Sequence, residues 1–362
     1  MPINSSLYLF FLGCGALVHQ LLPLQHRRVW LLLLSLMFYA YAGTSSFIIF
    51  IGITLVTFFF QEYLWLTVIL LVALLGYFKY ISTGQILFPL GLSYVVFECI
   101  HLVADRKRGA LNHVSLYELV QFTFFFPARS AGPIKRIEDF REDLANSSVT
   151  KEHLAYGLFF LILGYAQKTI IADSLTGVTD ILGTPDQLRG SLDTLLLLYA
   201  YSIRIYADFA GLTSIAIGSA LLFGIRVPKN FHYPYLQPNI ARFWRSWHMS
   251  LSDWARDYIY IPLGGNRVSY LRNLLNLMIV MLAIGLWHGS TLNFAAWGLY
   301  QGVGLCIHRI WLSAIGTRIP HTWWTYALGM LLTFHFVTVG WALFVTTSLT
   351  DSMYILSALF SL

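Results

Sequence analysis

Two histidines in this chain stand where an imidazole could act on a bound group. His288 lies in the string GLWHGSTLNFAAWG at 285–298, at the close of an apolar run. Gly289 suits the left-handed residue that ends a helix, and Ser290 or Thr291 suits the cap of the next one. The spacing therefore predicts a helix broken at the histidine. Inside a membrane, the carbonyls freed by such a break need partners from protein or from a watery cavity. An ionisable side chain placed there is a functional candidate, and a neutral imidazole can take a proton as a general base. The same spacing equally fits a histidine that only hydrogen-bonds and steadies the break. Asn293, one short turn on, is placed either to orient the imidazole or polarise a carbonyl, or simply to cap the next helix.

His248 belongs to a different kind of segment. Residues 228–273 are aromatic and basic, and they carry Pro228, Pro234, Pro238 and Pro262 between two apolar runs. At about 100° per residue, Ile240, Phe243, Trp244, Trp247, Leu251 and Trp254 fall on one stripe, with Arg242, Arg245 and Arg256 opposite. This predicts an amphipathic helix over 240–256 at the membrane interface, with His248 on the shoulder of the stripe. The arginines could attract the phosphates of a nucleotide-bearing donor or anchor the face to anionic lipid. His101, His232, His308, His321 and His335 lack comparable surroundings and read as loop, interface or packing residues. Arg204 and Asp208, four apart in an apolar run, are spaced to pair on one helical face. The chain has no GxSxG elbow, no HExxH and no glycine-rich phosphate loop, and its histidines are too scattered for a metal site.

The elements that must position these residues are membrane helices. Hydrophobic residues make up 57% of the 362 positions and charged residues 11%, whereas soluble domains carry about a quarter charged residues. No aqueous fold hides that much apolar surface. Runs approaching the roughly 20 residues that cross a bilayer recur at 5–24, 29–43, 46–60, 64–80, 86–104, 153–173, 191–209, 211–227, 274–288, 291–312 and 323–347. The expected fold is an all-α polytopic membrane protein of about eleven transmembrane helices with re-entrant and interfacial pieces, in a single membrane-embedded domain over 1–362. The N-terminal run has no basic region before it and no small-residue cleavage site, and it reads as a retained helix.

The net charge of +6 comes from basic residues in loops between apolar runs. Cytoplasmic loops carry such an excess, and no compact basic domain exists to hold nucleic acid. The short loop with Arg27 and Arg28 and the one with Arg106, Lys107 and Arg108 are both expected in the cytoplasm, which places the N-terminus outside. The stretch 128–151, with Arg129, Lys135, Arg136, Arg141 and Lys151, extends that side if 116–127 dips in without crossing. Cys14, Cys99 and Cys306 have no paired spacing and read as packing residues.

The run FWRSWHMSLSDWARDYIYIPLGGNR at 243–267, followed by GLWHGSTLNFAAWG, resembles the membrane-bound O-acyltransferase family. PLGLSY at 89–94, FPARSAGPIKR at 126–136, DFAGLTSIAIG at 208–218 and NFHYPY at 230–235 support it, and the likeness covers about residues 76–345. Within the family it is similar to the bacterial branch that acetylates exopolysaccharides such as alginate or supplies D-alanine to teichoic acids. The resemblance implies His288 as the catalytic histidine and His248 as the second histidine at the mouth of a central tunnel. It implies no bound cofactor, an acyl-CoA such as acetyl-CoA or another acyl thioester as donor, and a bacterial inner-membrane location. It also implies a polysaccharide acceptor and a periplasmic or membrane-anchored acyltransferase partner. Under that reading Asn293, Trp287, Trp244, Trp247 and Arg245 are candidate substrate contacts. Two other classes stay open: a transporter or flippase, for which no paired repeats are visible, and a silent scaffold of an export complex.

Overall fold

The computed structural model describes residues 1–82, 89–129, 132–146, 148–316, 318, 320 and 322–360; His321, and Ser130 and Ala131 of the FPARSAGPIKR string, lie outside them. The described residues are helical and contain no β-strand, only one isolated antiparallel bridge between Phe231 and Trp247. The all-α membrane class expected from composition is thus the observed one. The chain divides into two compact units, residues 1–168 with 209–229, and residues 169–208 with 230–362.

The first unit holds α1 (Ser6–Leu21), α2 (Leu24–Ala42), α3 (Thr44–Phe59), α4 (Leu64–Gly76), α5 (Leu92–Lys107), α6 (Leu116–Phe124), α7 (Ile137–Asn146) and α8 (Lys151–Tyr165). Their starts follow local chemistry. The Ser5 side chain accepts from Tyr8 N at α1, and Ser115 with Glu118 forms a reciprocal capping box at α6. At nine residues α6 is too short to cross a bilayer, in keeping with a segment that dips in.

Arg129 and Lys135, counted above as loop charges, are instead buried. Arg129 Nη1 lies 2.8 Å from Glu98 Oε2 and Lys135 Nζ lies 2.6 Å from Glu98 Oε1, with the ammonium 4.3 Å from the centre of the Phe122 ring. Sequence could not separate them from Arg136 and Arg141, because their partner Glu98 lies far upstream in an apolar helix.

Helix α9 (Thr176–Thr179) is a single turn, and α10 (Ser191–Leu221) runs unbroken for 31 residues where two spans were expected. Gly211, at the expected boundary between them, does not interrupt it. A Cβ at Gly211 would lie 2.8 Å from Gly164 O and one at Gly218 would lie 2.6 Å from Gly157 O, so these glycines let α8 and α10 approach backbone to backbone.

The second unit continues with α11 (Ile240–Trp244), α12 (Met249–Ala255), α13 (Tyr270–His288), α14 (Leu292–Trp311), α15 (Trp323–Gly340), α16 (Ala342–Val345) and α17 (Leu349–Ala358). By length and composition five described helices can cross a membrane: Leu64–Ile81, Lys151–Gly183, Ser191–Leu221, Tyr270–His288 and Trp323–Val345. Helices α1 and α3 are apolar but only 16 residues each. Length and composition thus support five crossings among the described residues; the expected eleven counted shorter runs as well.

Candidate active site

His288 is the last residue of α13, as its spacing predicted, and its ring is enclosed by aromatic faces. Its centroid lies 4.7 Å from Trp287, 5.2 Å from Trp297 and 5.1 Å from Phe344, all edge-on. The side chain is half-buried, so it is neither sealed in the core nor free at the surface. The break after it is built differently from expectation. Gly289 is extended, at φ −160°, where a left-handed residue was predicted. A glycine is needed there because any Cβ would overlap the Phe294 ring. Thr291 takes the cap position of α14 without a side-chain capping bond.

Asn293 is fully buried and does not cap α14. Its Nδ2 donates to Thr346 O at 2.5 Å, while its Oδ1 has no hydrogen-bond partner among the described residues. The amide is tied through its Nδ2 to the chain after α16.

The helix predicted over 240–256 is interrupted. Helix α11 ends at Trp244 and α12 begins at Met249, because His248 adopts the left-handed conformation, φ 45° and ψ 53°. A non-glycine residue there costs roughly 1–2 kcal/mol, so its surroundings must hold it. They do so through NFHYPY. The Phe231–Trp247 bridge, His232 N donating to Ser246 O at 3.0 Å and Met249 N donating to Asn230 O at 3.0 Å clamp both sides of the corner. The buried Asn230 Oδ1 also accepts from Ser250 N at 3.2 Å and Ser250 Oγ at 2.7 Å. Periodicity could not foresee this, since a stripe at helical spacing is silent about one residue leaving the helix. The stripe itself holds: Ile240, Phe243, Trp244, Trp247, Leu251 and Trp254 are all buried.

His248 is itself buried, not on an exposed shoulder, and its ring lies 5.9 Å from Trp287. One indole thus adjoins both histidines. Trp244 meets Trp297 at 5.8 Å and Trp247 meets Trp341 at 5.2 Å. Trp297, Trp341, Phe344 and Asn230 were missed as individuals. Trp297 closes the very string that carried His288, four residues after Asn293, and that spacing was the available signal. Arg242 and Arg245 are exposed, and Arg256 is paired with Asp253 at 2.7 Å and Asp257 at 2.8 Å. Arg204 donates to Asp180 at 2.6 Å and to Thr179 Oγ1 at 2.7 Å.

Burial pushes the His248 imidazole down to about 3, so it is neutral at physiological pH. The unfolded chain takes up this proton below the ordinary value near 6.5, whereas the folded one does so only near 3. Stability from this group is complete above 6.5 and is lost as pH falls between the two. We expect His248→Asn, which tolerates the left-handed region, to keep membrane abundance and to flatten the fall of thermal midpoint between pH 6.5 and about 4. His248→Val should lower the midpoint at every pH, because a β-branched side chain strains that conformation. Equal midpoints for the two variants at neutral pH would contradict the clamp.

Residues 31–350 match the model of the MBOAT, membrane-bound O-acyltransferase family. The chain belongs to the membrane-bound O-acyltransferases. Among curated proteins, this family member is 33% identical over 398 residues to a probable alginate O-acetylase AlgI of Azotobacter vinelandii, across all of this chain and 78% of the relative. It is 30% identical over 423 residues to the peptidoglycan O-acetyltransferase of Helicobacter pylori, across 99% of this chain and 80% of that one. It is also 31% identical over 288 residues to the teichoic acid D-alanyltransferase of Streptococcus thermophilus, covering 73% and 69% respectively. The chain is therefore a membrane-bound O-acyltransferase, with an acyl donor as substrate.

Proposed function

We propose that the chain moves an acetyl group from a cytoplasmic thioester, acetyl-CoA or a carrier-bound equivalent, across the inner membrane for O-acetylation of a cell-surface or exported polysaccharide. The observation that supports this most is that His288 and His248 both lie against the Trp287 indole. In this reading His288 accepts the hydroxyl proton, and His248, neutral, lines the approach from the cytoplasm. A polar passage runs past both side chains, walled by Trp244, Trp247 and Trp287. Asn293 orients the chain beside His288, and the exposed Arg245 meets the donor's phosphates at the surface. The N-terminus lies outside the cytoplasm, and a periplasmic or membrane-anchored acyltransferase takes the acyl group onward to the polymer. A second reading, D-alanyl transfer to teichoic acid, is favoured by the likeness to the Streptococcus thermophilus protein.

Inverted and right-side-out vesicles containing the chain, given acetyl-CoA labelled in the acetyl group, test donor and direction together. Consumption of label is expected from the cytoplasmic face only, together with labelling of single cysteines beside Arg27 and Lys107 from that same face. Consumption from the opposite face would reverse the orientation. Use of a D-alanyl thioester in place of acetyl would select the second reading.

A further inference from the structure

Helix α14 presents a row of polar groups to the interior of its unit. Asn293, Trp297 and Gln301 are spaced four apart, so they stack on one face over about 12 Å of helix. All three are almost completely buried. Among the described residues, Asn293 Oδ1, Trp297 Nε1 and both amide atoms of Gln301 have no hydrogen-bond partner. A buried donor or acceptor left unmade costs about 1–3 kcal/mol, and nearly all such groups in native proteins are satisfied. Asn293 is tied down through its Nδ2, which leaves Trp297 and Gln301 as the two side chains of the row, beside the candidate base, whose polar atoms have no partner among the described residues.

The middle member is nearest the chemistry. The Trp297 ring lies 5.2 Å from that of His288 and nearly perpendicular to it, and its N–H can only donate. Gln301, one turn further on, offers an NH2 donor close to Gly340 and a carbonyl acceptor. We propose that Trp297 Nε1–H and the Gln301 amide bind the carbonyl oxygen of the acyl group, with Trp297 donating to it as it becomes an oxyanion. This rests on the reading of His288 as the base. The acceptor hydroxyl gives its proton to His288 while its oxygen bonds the thioester carbonyl carbon, and the C=O electron pair moves onto the oxygen held by Trp297. Collapse re-forms C=O and breaks the C–S bond, and the departing thiolate takes the proton from His288.

The test separates a ligand-binding row from a merely unsatisfied one. Trp297→Phe keeps an aromatic ring but loses the N–H donor together with part of the indole's volume, and Gln301→Met keeps length and flexibility. Replacing an orphaned buried polar group by an apolar one of similar shape is neutral or stabilising for the fold. Gln301→Met should therefore keep or raise the thermal midpoint in detergent, whereas Trp297→Phe, which also empties volume among the rings of Trp244, Trp341 and Phe344, should lower it by a few degrees without preventing insertion. Transfer from labelled acetyl-CoA should fall about 10²-fold or more in Trp297→Phe, the loss seen when one oxyanion donor is removed, and about tenfold in Gln301→Met. The apparent KM for donor should stay within threefold in Trp297→Phe, because the donor acts in the transition state. Activity within threefold of the parent for Trp297→Phe at normal membrane abundance would overturn the proposal. If Trp297→Phe fails to insert, Gln301→Met at parental activity overturns it. His288→Ala, assayed alongside, distinguishes the failures: active His288→Ala defeats the base, whereas inactive His288→Ala with active row variants defeats only the row.

Discussion

Replacing His288 with alanine is expected to lower acyl transfer by about 10²-fold or more while leaving the protein at normal abundance in the membrane. A positioned general base contributes about 10²–10⁴ in rate, so its loss is far larger than any effect of a missing hydrogen bond. The fold should survive, since the side chain is only half-buried and its neighbours are aromatic rings that also hold one another. Trp297 stacks on Trp341 at 6.0 Å and meets Phe344 at 5.2 Å without the imidazole. Acetyl incorporation is measured at matched abundance, with His288→Gln as a second variant that restores bulk and hydrogen bonding but no base. Loss in both variants identifies proton transfer; recovery in His288→Gln would assign His288 to steadying the end of α13. Activity within threefold of the parent in His288→Ala would remove it from the chemistry.

The parts of this site that were legible in sequence share one property: each is a local statement about neighbouring residues. Composition and run length announced the membrane, and the glycine after His288 announced the end of a helix. The tryptophan stripe announced which face of 240–254 is buried. The parts that were hidden depend on distant chain segments meeting. The left-handed corner at His248 is held by Asn230, some eighteen residues upstream, and nothing in the 240–256 periodicity encodes that clamp. Asn293 bonds to Thr346, and Phe344 closes the far side of His288, both from the stretch beyond α15. Two expected spans merge into the unbroken α10 because Gly211 serves close packing against α8, and Gly289 ends α13 in an extended conformation, with the Phe294 ring where its Cβ would be.

The same close packing fixes the geometry on which His288 depends, and it predicts the second large effect. Helices α13 and α14 are antiparallel neighbours joined by residues 289–291, and they touch through Gly285 and Gly298. A Cβ on Gly298 would overlap Met281 O and lie 3.2 Å from the Cα atoms of Gly285 and Leu282; one on Gly285 would overlap Phe294 O. These obstacles are backbone, which cannot rotate away as a flexible side chain can. In lipid the association of helices rests on van der Waals contact, so a pair held apart loses the packing itself. Gly298→Val should therefore separate the two helices. That shift carries Trp297 and the end of α13 with it, and a displacement of about 1 Å at a reacting centre can cost about 10² in rate. Expected results are a thermal midpoint in detergent lowered by several degrees and transfer reduced at least tenfold even in the fraction that inserts. Gly13→Val in α1, where a Cβ would meet nothing within 4 Å, serves as the control and should change neither. Parental stability in Gly298→Val would show that the contact between α13 and α14 is looser than these distances require.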